Sequence, residues 1–132
     1  MSATEHVDHG VVAVTGEGGH IVCERCHVPG TIAGRMRGLL GRAELPRGEG
    51  MLLRGVSAIH TLFMRFVIDA VFLDREAVVV GIDSNVPPWR VASRRHARAV
   101  LELSAGEGRR HGIRVGERLI FTPARNHEEE DR

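Results

Sequence analysis

A mainly β fold, α+β by content and arranged as a distorted sandwich or a small barrel, is what this sequence predicts. Two observations carry that expectation. Short runs of β-branched and other apolar residues recur at regular spacing, with Gly, Pro, Asp or Asn between them. Clear helical periodicity is confined to one stretch near residues 31–41.

In chain order, Val11–Val14 and His20–Cys23 are the first two strands, joined by a hairpin turn at Gly16-Glu17-Gly18-Gly19. Thr31 is placed to cap a helix in which Ile32, Met36, Leu39 and Leu40 recur at helical spacing, with Gly41 as its stop. Strands follow at Met51–Leu53 and Ile59–Met64. Two more, Ala70–Leu73 and Ala77–Ile82, flank a turn at Asp74-Arg75-Glu76. Pro87-Pro88 forces an extended loop. Ala99–Leu103 is a further strand, residues 105–111 suit one helical turn, and Gly112 leads into a last strand ending at Phe121. Residues 1–10 and 123–132 are polar or charged and without period. They read as tails on either side of one domain over residues 11–122.

With 132 residues, 42% of them apolar and 27% charged, the chain is of a size and composition that can bury one core. No apolar window is long enough to span a membrane. No charged leader precedes an apolar run and cleavage site, so a cytoplasmic location is expected. The formal net charge is +1, yet all 18 basic residues are arginine and lysine is absent, a bias that fits GC-rich coding.

The stretch Cys23-Glu24-Arg25-Cys26-His27 has the C-x-x-C-H form of covalent haem attachment. On an extended strand, however, residues three apart point to opposite faces, and a tetrahedral zinc site drawn from His20, Cys23, Cys26 and His27 would need all four to bend inward. No cofactor and no metal is expected.

A second constellation comprises Ser57, His60, Thr61, Arg65 and Asp69. A nucleophile, a base and an orienting acid are all present, but Ser57 and His60 lie three apart in a strand and no G-x-S-x-G elbow occurs. Catalytic residues are therefore not assigned, and an enzyme centred on His60 and Asp69 is kept as an alternative. Asp74 reads as a turn residue and Asp69 as a strand-end residue bonded to its own backbone. Trp89 and Arg90, followed by Arg94 and Arg95, set the one tryptophan of the chain in a basic segment. That pattern suits weak single-stranded nucleic-acid binding. The near-neutral total charge and the lack of any known binding motif make it a minor alternative.

Six segments, taken together, resemble the DUF192 family of prokaryotic domains of unknown function. They are Arg37-Gly38-Leu39-Leu40-Gly41-Arg42, Gly48-Glu49-Gly50-Met51-Leu52-Leu53, His60 to Phe66, Ile68 to Asp74, Val100 to Gly106, and Gly112 to Glu117. The resemblance runs over about residues 20–121. It implies a small, mainly β domain with a jelly-roll-like sandwich and a short helix, and it supplies no catalytic residues. Val67 stands where similar chains often have proline, and Leu62 where many have tryptophan. Arg37 and Arg65 lie in matched segments. With His60, Thr61 and Asp69 they form the expected binding set of a small module for an anionic ligand or a protein partner.

Overall fold

The computed structural model describes residues 10–30, 45–62 and 64–123. Nine strands are found there: β1 (Gly10–Gly16), β2 (Ile21–Val28), β3 (Glu49–Arg54), β4 (Ala58–His60), β5 (Ile68–Leu73), β6 (Val79–Val86), β7 (Val91–Ser93), β8 (Ala99–Ser104) and β9 (Leu119–Pro123). The single helix among the described residues, α1, is the turn Glu107–Arg110 expected near residues 105–111. The helix expected over residues 31–41 lies outside the described residues, as do nearly all of both expected tails.

Seven strands form one mixed sheet in the order β6-β5-β8-β3-β2-β1-β9, and β4 and β7 form a separate two-stranded sheet. Only β2 and β3 run parallel; a parallel pair needs a long crossover, which the chain between residues 28 and 49 supplies. The large sheet curls until its two ends approach. Val78, just before β6, bridges Arg118, just before β9, and the N–H of Val79 donates to the Glu117 carbonyl at 2.8 Å. Leu119 and Gly116 add N–H bonds to the carbonyls of Ala77 and Val79 at 2.9 and 2.8 Å, but the contact stays an isolated bridge and no ladder joins β6 to β9, so the barrel alternative is corrected: the sheet is not closed.

Curling places apolar side chains on both faces of the central strands. Every residue of β5 is buried. Val71 and Leu73 join one cluster with Val14, Val22, Leu52 and Leu101, while Ile68, Ala70 and Phe72 join another with Met51, Leu53, Ile59 and Val100. Such continuous apolar runs belong to strands covered on both sides.

Turn chemistry sets most strand ends. The Gly16–Gly19 turn forms as expected, with the Gly19 N–H donating to the Gly16 carbonyl at 3.0 Å. Asp74 is the expected turn residue: its Oδ1 accepts from the N–H groups of Glu76 and Val78 at 2.8 and 3.0 Å. Ala77 has φ 63° and ends that turn, so β6 starts at Val79 rather than Ala77. Likewise β4 stops at His60 rather than continuing to Met64, because the chain turns at Thr61, whose carbonyl accepts the N–H of Met64 at 3.2 Å.

Candidate functional site

Two buried polar side chains organise the loops at the edge of the fold, and each comes from a segment the sequence had marked. Asp69 and Thr61 are both 0% exposed, a state that polar groups tolerate only when fully bonded.

Asp69 sits second in β5. Pairing runs Ile68 to Val86 and then Ala70 to Asp83, so β6 carries an extra residue opposite Asp69, a β-bulge. Asn85, in the bulge with φ 55°, donates its N–H to Asp69 Oδ1 at 2.9 Å. Oδ2 accepts from Gly106 at 3.1 Å and from Gly108 at 2.9 Å. The expectation that Asp69 bonds its own backbone is thus replaced by a longer reach: it ties β6 and the β8–α1 loop to β5. Gly106 supplies φ 89° at the start of α1, a left-handed backbone that strains any L side chain even though the space around it is open.

Above this anchor lies an open cleft of about 340 Å³, lined by Ile82, Ser84, Gly108, Arg109, Gly112, Ile113 and Arg114. Nearby acidic groups are engaged elsewhere. Glu107 is buried and approaches Arg110 at 3.9 Å and His111 at 3.5 Å. Glu117 accepts the backbone N–H of Arg114 at 3.3 Å and pairs with His20 at 3.3 Å. Among the described residues, the guanidinium groups of Arg109 and Arg114 therefore have no carboxylate partner. The cleft has apolar residues, exposed backbone, one hydroxyl and two cationic forks, a set suited to an anion with an apolar body.

Thr61 organises the other loop. Its hydroxyl donates to the Pro87 carbonyl at 2.6 Å and accepts the Arg90 N–H at 2.9 Å, bridging the two groups that a four-residue turn would join directly. Its own N–H donates to the Arg90 carbonyl at 2.8 Å, and its carbonyl accepts the Trp89 N–H at 3.0 Å. Beyond this clamp a segment to which no strand was assigned forms β7, which pairs with β4 through Ala58–Ser93, Ile59–Ala92 and His60–Val91. Three residues in an arginine-rich stretch are too few to show period two, which is why the strand escaped sequence reading.

The sequence-derived candidates separate accordingly. Arg37 lies outside the described residues. His60 is exposed opposite Val91, and Arg65 is exposed between β4 and β5. Arg94 is engaged inside the fold: both terminal nitrogens donate to Asp83, at 3.2 and 2.6 Å, and the guanidinium lies 5.0 Å from the Phe72 ring centre. A Cβ at Gly81 would collide with the Arg94 side chain, so glycine makes room for this crossing. Trp89, Arg90 and Arg95 are exposed. Arg109, Arg114 and Ser84 were not singled out in the sequence; the one available signal was arginines within and just after the Gly106 to Gly112 turn.

The cysteines need a second correction. Val12 pairs with Cys26 and Val14 with Cys23, two residues against three, so a bulge in β2 turns both thiols inward instead of to opposite faces. Both are free and buried in the same cluster. Hydrogen bonding with Cys23, and then burial, pushes the Cys26 thiol well above its ordinary range. A thiol held neutral in this way is a core residue and a poor nucleophile.

These features define a mainly β domain whose loops are stitched by single buried polar groups. Residues 12–121 match the DUF192 family, described as "Uncharacterized ACR", and the chain belongs to that family. It is similar to a protein of unknown function from Novosphingobium aromaticivorans DSM 12444, at 29% identity and TM-score 0.70, with 83% of each chain covered. It shares its fold with a Sinorhizobium meliloti 1021 protein described as a "putative transcription regulator", at 22% identity and TM-score 0.73, over 87% of this chain and 96% of that one. No curated protein matches the chain. No helix among the described residues is long and apolar enough to cross a membrane.

Proposed function

We propose that this domain is a binding module for a small molecule bearing a phosphate or carboxylate group, seated in the cleft between β6 and the α1 loop. The observation that carries the reading is the pair Arg109 and Arg114, two guanidinium groups without carboxylate partners beside an apolar surface formed by Ile82 and Ile113. Asp69 supports it by fixing the backbone of Gly106 and Gly108 from beneath, so the cleft is formed before any ligand arrives. Binding to a formed site avoids the cost of ordering a loop. The arginines used are those of the α1 loop; Asp69 serves as the anchor below the cleft.

Thermal denaturation in inorganic phosphate, citrate or adenosine monophosphate, each against chloride at matched ionic strength, tests the proposal. A ligand that binds only the native state raises the midpoint. The expected result is a rise with at least one of the three. Arg109→Ala and Arg114→Ala should each weaken that response about tenfold or more, the order of a charge-assisted hydrogen bond, with little change in the melting of the empty protein. No rise with any probe, or a rise that survives in the double variant, overturns it.

A further inference from the structure

The cleft borders an open strand edge as well as two arginines. Along an antiparallel strand, successive residues aim their N–H and C=O groups to opposite sides. β6 is an end strand of the large sheet, with β5 as its neighbour. The Leu73 carbonyl of β5 accepts the N–H of Arg98, just before β8, at 2.7 Å, so Leu73 faces β8. Phe72 and Ala70, out of phase with Leu73, therefore face β6, where they pair with Gly81 and Asp83. Ile82, between those two, turns its N–H and C=O away from β5, toward the cleft it lines.

The same edge pairs with backbone wherever backbone is at hand. Val79 donates to the Glu117 carbonyl and accepts the Gly116 N–H, both at 2.8 Å. The chain before Gly116 is drawn back by a turn, closed by the Glu117 N–H on the Arg114 carbonyl at 3.1 Å, and no backbone bond from the described residues reaches Ile82 on that side. A donor and an acceptor on one strand residue are the complement of a peptide unit in an added strand. A small anion alone would engage the N–H and leave the carbonyl to water. Arg109 and Arg114 at the same cleft complement a terminal carboxylate. We propose that the cleft takes a short extended peptide, which adds to the β6 edge at Ile82 and sets its free C-terminal carboxylate against Arg109 and Arg114. This rests on the reading of the cleft as an anion site and names the body of the anion. A cleft of about 340 Å³ is at the small end of the range for small-molecule sites, which suits a few residues rather than a folded partner.

The full chain is titrated calorimetrically with Ala-Val-Ala, with its C-terminal amide, and with an analogue methylated on the valine nitrogen. The free acid should bind, the amide about tenfold or more weaker for want of the charge-assisted bond, and the methylated analogue about fivefold or more weaker for want of the central donor. Combining Arg109→Ala with Arg114→Ala should bring the free acid to the level of the amide and leave the amide unchanged. Hydrogen exchange reads the strand edge directly. In the free chain the Ile82 amide should exchange faster than those of Gly81 and Asp83, and saturating tripeptide should slow it, whereas inorganic phosphate should not. Failure of the free acid to bind, alongside a response to phosphate, citrate or adenosine monophosphate, overturns the peptide and leaves the anion cleft standing; silence toward every probe overturns both. Equal binding of the amide or of the methylated analogue, or an Ile82 amide already as protected as its neighbours, also overturns the proposal.

Discussion

The loops at residues 87–90 and 106–114 are built on the same plan with different chemistry. Each is tied to the sheets by one fully buried polar side chain, Thr61 for the first and Asp69 for the second. A hydroxyl both donates and accepts, so Thr61 joins a carbonyl to an N–H. An ionised carboxylate only accepts, so Asp69 collects three N–H groups from β6 and the α1 loop. The choice follows what each loop leaves unpaired: a proline-containing turn offers one donor and one acceptor, whereas a bulge followed by the start of a helix offers donors only. The difference also sets the cost of removing the anchor, since hydrogen bonds to a charged acceptor are stronger than those between neutral groups.

The comparison is broken most directly at Asp69. Asp69→Ala should destabilise the protein by about 3–5 kcal/mol, because it strands several buried donors and removes a charged acceptor, and Asp69→Asn should recover part of the loss by keeping one oxygen in place. Urea denaturation measures both. If Asp69→Ala costs no more than Thr61→Val, the charged anchor is not the stronger one.

A smaller effect is expected at Thr61. Thr61→Val keeps the shape and leaves the Pro87 carbonyl and Arg90 N–H without their bridge, a loss of about 1–3 kcal/mol, whereas Thr61→Ser should behave nearly as wild type. Hydrogen exchange should speed up at Trp89 and Arg90 in Thr61→Val while Gly106 and Gly108 stay protected. Exchange that rises equally in both loops would show that they are not separate units.

The smallest effect is also the control, because it acts on the shared sheet rather than on either loop. Cys26 has a raised pKa in the folded protein, so the unfolded chain releases its thiol proton first as pH rises. Stability attributable to this thiol is therefore fully present below its ordinary value of 9.0 and falls above it, by at most about 1.4 kcal/mol per pH unit. Cys26→Ala should remove that alkaline slope, although it will lower stability at neutral pH by opening a small cavity. An unchanged slope in Cys26→Ala would assign the alkaline loss to another group.

Much of the strand pattern was legible because it is local. Apolar runs with Gly, Asp or Pro between them located β1, β3, β5 and β8, and Asp74 could be read as a turn from its neighbours alone. Strand ends were less visible, since the left-handed Ala77 and the turn at Thr61 follow from partners distant in sequence. The candidate site was legible by residue but not by role: Thr61, Asp69 and Trp89 all stood out, while their division between two loops did not. Arg94 looked like its neighbours until Asp83 and Phe72 were placed around it.

By itself, the sequence determined a mainly β domain, because burial of apolar strands and the chemistry of turns are written in consecutive residues, and the order of its short motifs carried the resemblance to the DUF192 family. Only the tertiary structure decided which way Cys23 and Cys26 face, that the sheet stays open, and that Asp69 and Thr61 each hold a loop. The physical reason is common to all of these. A bulge is a mismatch between two strands, closure depends on whether distant edges meet, and a buried polar group takes its role from whichever unpaired backbone groups the fold brings beside it.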